Sequence, residues 1–256
     1  MDGQVWGKPQ PAIEPATQVH CKPGFERLLG PGQPSPQQTL RWAVETYGSR
    51  LVMTSSFGMT GVALIHILQT ISRSVPIVFV DTGYLFEETL ELKRRIEATY
   101  GLQILTFRPR LGVGVRARQH GPDLCCALRK VEPMQRAMAE LQPAAVLNGR
   151  ARFQASTRRN LPIVEWNQTP VRINPLATWS QQQIEDYVKA NDVPYNPLHD
   201  VGYPSLGCWP CTKPVTEGGD VRAGRWSGLG KVECGLWSGA DNDLRTSRPQ
   251  LRALAQ

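Results

Sequence analysis

The sequence predicts an α/β protein: a parallel sheet with helices on both faces, followed by an irregular C-terminal segment. Two observations carry that prediction. Apolar stretches of strand length alternate with stretches of helical period, and such alternation implies parallel strands joined by crossover helices. From about residue 191 the period is lost in "NDVPYNPLHDVGYPSLGCWPCTKP", which is dense in Pro, Gly and aromatic residues. The chain has 256 residues, 41% apolar and 20% charged, enough for one large core or two small ones.

The elements follow in order. Seven of the 21 prolines fall within residues 1 to 36, so residues 1–35 read as an irregular leader. In "SPQQTLRWAVETYG", Ser35 caps a helix, Pro36 suits its first position and Gln38 completes a capping box. Leu40, Val44 and Tyr47 make its apolar face, and Gly48 ends it. "RLVMTSS" reads as a strand and "MTGVALIHILQTI" as a buried helix. "VPIVFVDTG" is a second, strongly apolar strand, followed by the helix "LFEETLELKRRIEATYG". There Phe86, Leu90 and Tyr100 are expected to face inward, and Glu91 to pair with Arg95. "LQILTF" is a third strand, "AAVLNG" a fourth after a helix starting near Pro133, and "VRINPL" a fifth. Ser180 and Gln183 open a last helix with Ile184, Tyr187 and Val188 as its stripe. The crossovers should be right-handed.

Several function classes drop out early. No uninterrupted apolar run approaches the ~20 residues of a membrane helix, and "MDGQVWGKPQ" lacks the apolar core of a secretory signal. A cytoplasmic protein is expected. The net charge of +7 suits an anionic partner, either a nucleic acid or a phosphorylated small molecule.

The chemistry concentrates in four places. The turn "SSFGMTG" after the first strand exposes backbone N–H groups at a helix start, and "VDTGYLF" occupies the matching turn after the second. In an open parallel sheet, ligands lie beyond the carboxyl ends of strands, so these turns outline a nucleotide crevice. Of the six cysteines, Cys125-Cys126 and Cys208-x-x-Cys211 supply four thiolates, enough for tetrahedral zinc or an iron–sulfur cluster. Neighbouring cysteines converge poorly on one ion but can reach separate irons of a cubane, which favours [4Fe–4S]; zinc and buried thiols remain as alternatives. The basic groups Arg129-Lys130, Arg158-Arg159 and Arg222/Arg225 could together cradle phosphate or sulfate. Cys234, near Lys231 in the Gly-rich "KVECGLWSG", lies outside the metal set, and nearby cations would raise its thiolate fraction. Cys21 reads as a spectator, and His199 as a residue able to approach a ligand.

With these pieces in place, residues 38–238 resemble the sulfonucleotide reductases of assimilatory sulfate reduction, which reduce adenylyl sulfate (APS) or its 3′-phosphorylated form (PAPS). The resemblance rests on "SSFGMTG", "VDTGYLFEET", "CCALRKVEP", "INPLATW", "VPYNPLHDVGYPSLGCWPCTKP", "RAGRW" and "ECGL". It implies an adenine-nucleotide alpha-hydrolase-like fold of PP-loop type. It also implies a [4Fe–4S] cluster on Cys125, Cys126, Cys208 and Cys211, the pattern of APS reductases. Cys234 would be the nucleophile, with Lys130, Arg222 and Arg225 on the phosphosulfate. Ser56, Phe57, Gly58, Asp81, Thr82, Gly83 and Arg158 would bind the substrate.

The implied plan is a leader (1–35), a nucleotide-binding domain (36–190), a cluster-binding loop with the catalytic segment (191–240) and a tail (241–256). Thioredoxin or glutaredoxin is the expected reductant. Neither nucleic acid nor membrane is expected, and homo-oligomerisation is left open. Two departures from the family stand out. Trp237 replaces the histidine usual in ECGLH, and "GRARFQASTR" leaves Arg150 and Arg152 without a clear counterpart. The rival readings are a PP-loop RNA thiolation enzyme, whose SGGxDS loop is missing here, and a non-catalytic four-cysteine metal module.

Overall fold

The side-chain alternation of each short strand decides which helices cover which face of the sheet. The structure is a computed structural model that describes residues 24–28, 32–110, 117–216, 220–229, 231 and 233–237. Six strands form one sheet: β1 (Leu51–Thr54), β2 (Ile77–Val80), β3 (Ile104–Phe107), β4 (Ala145–Asn148), β5 (Val164–Glu165) and β6 (Val171–Ile173), in the order β3-β2-β1-β4-β6-β5. All neighbours are parallel except β5 and β6. Successive strand residues point to opposite faces. Leu51, Met53, Ile77, Phe79 and Leu147 accordingly join one large core, and Val52 and Val78 a smaller one.

The large core is closed by α1 (Pro36–Tyr47), α2 (Met59–Gln69), α3 (Glu87–Tyr100) and α6 (Gln181–Ala190). The small one is closed by Met134 and Ala137 of α5 (Glu132–Leu141). Helices thus cover both faces. The capping signals read from sequence are present: Ser35 with Gln38 and Ser180 with Gln183 form complete capping boxes, and Gly48 caps α1 with φ 51°. Among the described residues, no helix is long and apolar enough to cross a membrane.

Four details differ from the sequence expectation. The inward face of α3 is Thr89, Leu92 and Ile96, a spacing of three and four, while Leu90 and Tyr100 lie along its margin, partly buried. Glu91 pairs with Arg94 at 2.6 Å, not Arg95, because Arg94 also reaches Glu87 at 2.8 Å and so bridges two carboxylates. The two-residue β5, too short to show a period, adds an antiparallel edge. Phe25 of the leader is buried against Trp42 and Trp166, with ring centroids 4.7 and 5.7 Å away. That part of the leader belongs to the core. Residues 1–23, with Cys21, and the tail 241–256 lie outside the described residues.

The helix expected near Pro133 starts earlier. α4 (Pro122–Cys126) runs through a π-helical turn, Ala127–Val131, directly into α5. Pro133 has no N–H for the carbonyl four residues back, so a regular α-helix cannot pass through Arg129 with all its bonds made. A widened turn absorbs the mismatch, and such turns recur at functional sites. Leu128 and Val131 stay buried on it. Arg129 and Lys130 are carried toward the sheet's ligand edge.

Candidate active site

Strand order reverses at β1, with β2 on one side and β4 on the other. A cavity of about 500 Å³ opens beyond the carboxyl ends of these strands, lined by Thr54 at the end of β1 with Ser55 and Ser56 after it, and by Asn148 at the end of β4 with Gly149 and Arg150 after it. This is where an open parallel sheet binds ligands. The floor is tied together by short bonds. The Thr54 hydroxyl donates to Asn148 at 2.9 Å, the Thr60 hydroxyl to the Gly149 carbonyl at 2.7 Å, and Gln154 Nε2 to Thr60 at 2.9 Å. Gly149 is needed there, since a Cβ on it would stand 3.0 Å from the Gly61 Cα.

Ser56 and Gly58 line the cavity as expected. Phe57 does not. Its backbone takes a left-handed φ of 57°, steadied by a 3.1 Å bond from its N–H to Ser55 Oγ. Its ring turns into the core, 4.9 Å from Phe79. The left-handed backbone costs roughly 1–2 kcal/mol, a cost that burial of the ring offsets.

The second turn does a different job from the one the sequence suggested. Asp81, Thr82 and Gly83 are not part of the large cavity's lining. The Asp81 carboxylate accepts from the Gly83 N–H and from Arg108 Nε, each at 2.9 Å. The Thr82 hydroxyl lies 3.2 Å from Cys208 Sγ. Arg129 donates to the Thr82 carbonyl at 2.9 Å and stacks over Tyr84 at 4.3 Å. Arg129 therefore holds this loop, and Arg159 is exposed; neither joins the basic wall of the large cavity.

That turn supports a second cavity of about 260 Å³, lined by all four paired cysteines, Cys125, Cys126, Cys208 and Cys211. Backbone bonds hold the irregular segment here: Leu85 bridges Cys208, and the Trp209 N–H donates to the Tyr84 carbonyl at 2.8 Å. Among the described residues, no three His, Cys, Asp or Glu side chains come together around a single metal position. Burial pushes the Cys126 thiol up to about 11, against the pull of Lys130 and Lys231. Lys231 is held by Asp123.

Lys130 and Arg225 line both cavities and so form the wall between them. Arg225 is anchored by the Leu206 carbonyl at 2.7 Å and Ser205 Oγ at 3.3 Å, and lies over Trp226 at 4.6 Å. Gly207 is required beside it, since any Cβ there would overlap the guanidinium. Arg158, Arg222 and Cys234 complete the large cavity's basic side. Burial opposes ionisation of Cys234, but Lys130, the Leu236 backbone N–H and Arg225 outweigh it, and the thiol titrates below its ordinary value. The Lys130 ammonium shows the reciprocal effect. Burial would lower it, yet Cys234, Cys208 and Cys126 raise it. Burial brings Arg222 down to about 10, with Glu233 opposing.

Two residues on this site, Glu233 and Arg172, were not assigned from the sequence. Glu233 bonds Arg158 and approaches Arg222. Its signal was only its place beside Cys234. Arg172 donates to the Trp237 carbonyl at 2.8 Å and stacks on its ring at 5.0 Å. Trp237 thereby becomes a cavity wall backed by the small core. His199 also lines the cavity, with its Nε2 buried and unbonded, and burial lowers its titration while a bond to the Tyr203 backbone opposes that. Of the unaligned arginines, Arg150 lines the cavity and pairs with Glu165 at 2.8 Å. Arg152 donates to the Leu161 carbonyl at 2.9 Å and lies outside the lining.

Comparison with known proteins bears on this arrangement. The family described as phosphoadenosine phosphosulfate reductase domain matches residues 50–214. An adenosine 5'-phosphosulfate reductase of Deinococcus radiodurans is 44% identical over 219 residues, covering 82% of this chain and 84% of the relative. A phosphoadenosine 5'-phosphosulfate reductase of Gloeobacter violaceus is 39% identical over 241 residues, covering 90% and 97%. Among solved structures, a phosphoadenylyl-sulfate reductase from Candida auris in complex with phosphate superposes with TM-score 0.62 at 36% identity, covering 71% of this chain and 90% of that one. An FMN adenylyltransferase from Candida glabrata, at 14% identity and TM-score 0.55 over 84% and 79% of the two chains, shares the fold alone. The match spans most of the sheet and the cysteine segment, and the relatives align over nearly their whole length. This chain belongs to the phosphoadenosine phosphosulfate reductase domain family.

Proposed function

We propose that the protein reduces APS to sulfite and AMP, with thioredoxin or glutaredoxin as the electron donor. The observation that carries this reading is the position of Cys234. Its thiol, favoured as thiolate by Lys130 and Arg225, lines the same cavity as the β1 and β4 turns that would receive the nucleotide.

The chemistry balances as two displacements. The Cys234 thiolate attacks the sulfur of APS, the bond from sulfur to the bridging phosphate oxygen breaks, and AMP leaves with that electron pair. Cys234 then carries an S-sulfonate, a covalent intermediate that divides a hard reduction into two steps. A thiolate of the reductant attacks Cys234 Sγ and sulfite departs with the bonding pair. The reductant's second thiol resolves the mixed disulfide, so the dithiol is oxidised and the sulfur reduced. Lys130, Arg225 and Arg222 face the charge that builds up on the departing phosphate.

The four paired cysteines fit an iron–sulfur cluster. All four thiols line one cavity, and two of them are sequence neighbours, which reach separate irons of a cubane more readily than a single ion. Cys125, Cys126, Cys208 and Cys211 would hold a [4Fe–4S] group, which when bound supplies a fixed charge beside Lys130 and cross-links the loop to the sheet. Lys130 reads that charge from one side and the substrate's from the other. The thiol pattern favours APS over PAPS. The D. radiodurans relative is named for APS and the G. violaceus relative for PAPS, so both substrates belong in the test.

The test is sulfite release from APS and from PAPS, assayed separately with anaerobically purified protein and thioredoxin. Turnover of APS alone is expected. Comparable turnover of PAPS would make the enzyme dual-specific and direct attention to Arg150. Turnover of neither would overturn the function and leave the fold standing.

A further inference from the structure

Glu233, one residue before the nucleophile, grips the basic wall. Its carboxylate accepts from Arg158 Nε at 2.8 Å and Nη2 at 2.7 Å, a forked, charge-assisted pair, and from the Thr157 hydroxyl at 3.2 Å. Arg222 Nη2 stands 3.5 Å from the same group. The third nitrogen of Arg158, Nη1, donates to Gln154 at 2.5 Å. All three guanidinium nitrogens of Arg158 are thus engaged within the protein.

The pair is poorly exposed, with 13% of the Arg158 side chain and 31% of the Glu233 side chain accessible. Burial would push the Glu233 carboxyl up, yet Arg158, Arg222 and Thr157 outweigh it and hold it below the usual carboxylate range. The carboxylate is therefore ionised and bonded at neutral pH. Consecutive Cα atoms lie about 3.8 Å apart, so a carboxylate fixed on Arg158 fixes the backbone that carries the Cys234 thiol. Arg158 comes from the segment after β4, one wall of the nucleotide crevice. The contact ties the nucleophile's segment to the ligand edge of the sheet.

We propose that Glu233 is the positioning residue for Cys234, held in place through its forked contact with Arg158. This reading rests on Cys234 being the nucleophile, as proposed above.

The test is a double-mutant cycle with Glu233→Gln, Arg158→Gln and the pair together, in the full chain. The first readout is alkylation of Cys234 by iodoacetamide, followed by peptide mass spectrometry, which needs no turnover. Each single substitution is expected to speed alkylation by about fivefold, and the double variant no more than either single, because both break one contact. The second readout splits the kinetics. In Glu233→Gln, kcat for APS should fall about tenfold through misplacement of the thiol, with KM for APS and the Kd for AMP within about twofold of wild type. Unchanged alkylation in both single variants would overturn the proposal. So would a Glu233→Gln variant with wild-type kcat for APS. Should the wild-type protein turn over no sulfonucleotide, the proposed function falls, and the alkylation cycle still decides the anchor.

Discussion

At the scale of the residue, Lys130 couples the two cavities to Cys234, the proposed nucleophile. It lines both cavities, and it faces the Cys234 thiol from one side and the paired cysteines from the other. Removing its charge has two consequences for Lys130→Ala. The Cys234 thiol loses its largest favourable influence and titrates higher, so the acid limb of the pH–rate profile moves to higher pH. Loss of a cation facing the departing phosphate should also lower turnover at neutral pH by about 100-fold. If the paired cysteines hold iron as proposed, its content should be near wild type, because Lys130 supplies no thiol. Wild-type turnover with an unmoved pH profile would remove Lys130 from the mechanism. Cys234→Ser separates chemistry from binding. It should keep nucleotide affinity yet form no S-sulfonate, and a sulfonate adduct seen by intact mass would place the nucleophile elsewhere.

At the scale of the element, the π-helical turn Ala127–Val131 explains how one segment serves two cavities. An α-helix advances about 100° per residue, so a turn that takes an extra residue rotates every later side chain about the axis. Leu128 and Val131 remain in the core while Lys130 reaches the wall. Pro133 is the physical cause, and Pro133→Ala tests it. The variant regains an N–H for the Arg129 carbonyl and can wind regularly, which removes a penalty of roughly 3 kcal/mol for proline in a helix. We expect unchanged or higher thermal stability together with at least tenfold lower turnover as Lys130 rotates away. A variant with wild-type kinetics would show that the turn has another origin.

The same element marks what could be read from the sequence. Pro133 was legible as a helix start because proline favours first turns. That α4 already ran into it was not, since only tertiary packing makes a widened turn worthwhile. Strands, caps and the four-cysteine pattern follow from period and local chemistry. The roles of Asp81, Thr82 and Gly83 do not, because a turn's sequence does not say which of two adjacent cavities it serves. Glu233 and Arg172 were illegible for a related reason. Their partners, Arg158 and Trp237, lie 75 and 65 residues away, beyond the reach of any local pattern.

At the scale of the whole molecule, two kinds of cohesion coexist. The sheet and its helices are held by a continuous apolar core from Leu40 through Leu64, Phe79 and Ile96 to Val188. The segment after residue 191 contributes little to it beyond Val193 and Tyr195. Around Cys208 it relies instead on the Leu85 bridge, the Trp209–Tyr84 bond, the Thr82–Cys208 contact and the Arg225–Leu206 bond. These are hydrogen bonds worth ~1 kcal/mol net each, beside the Tyr84–Trp209 and Phe86–Tyr203 ring contacts, a thinner attachment than the apolar core. A cluster on the four cysteines would add covalent cross-links across this seam. Removing it by anaerobic chelation should therefore raise hydrogen exchange at residues 82–85 and 206–212 by at least tenfold, while α2 and β1 change little. Nucleotide binding, proposed to draw on the β1 and β4 turns, should survive, and sulfite release should not. Equal loss of protection across the sheet would mean that the group supports the whole fold. Unchanged exchange near Cys208 would mean that the hydrogen bonds suffice and that the thiols serve chemistry alone.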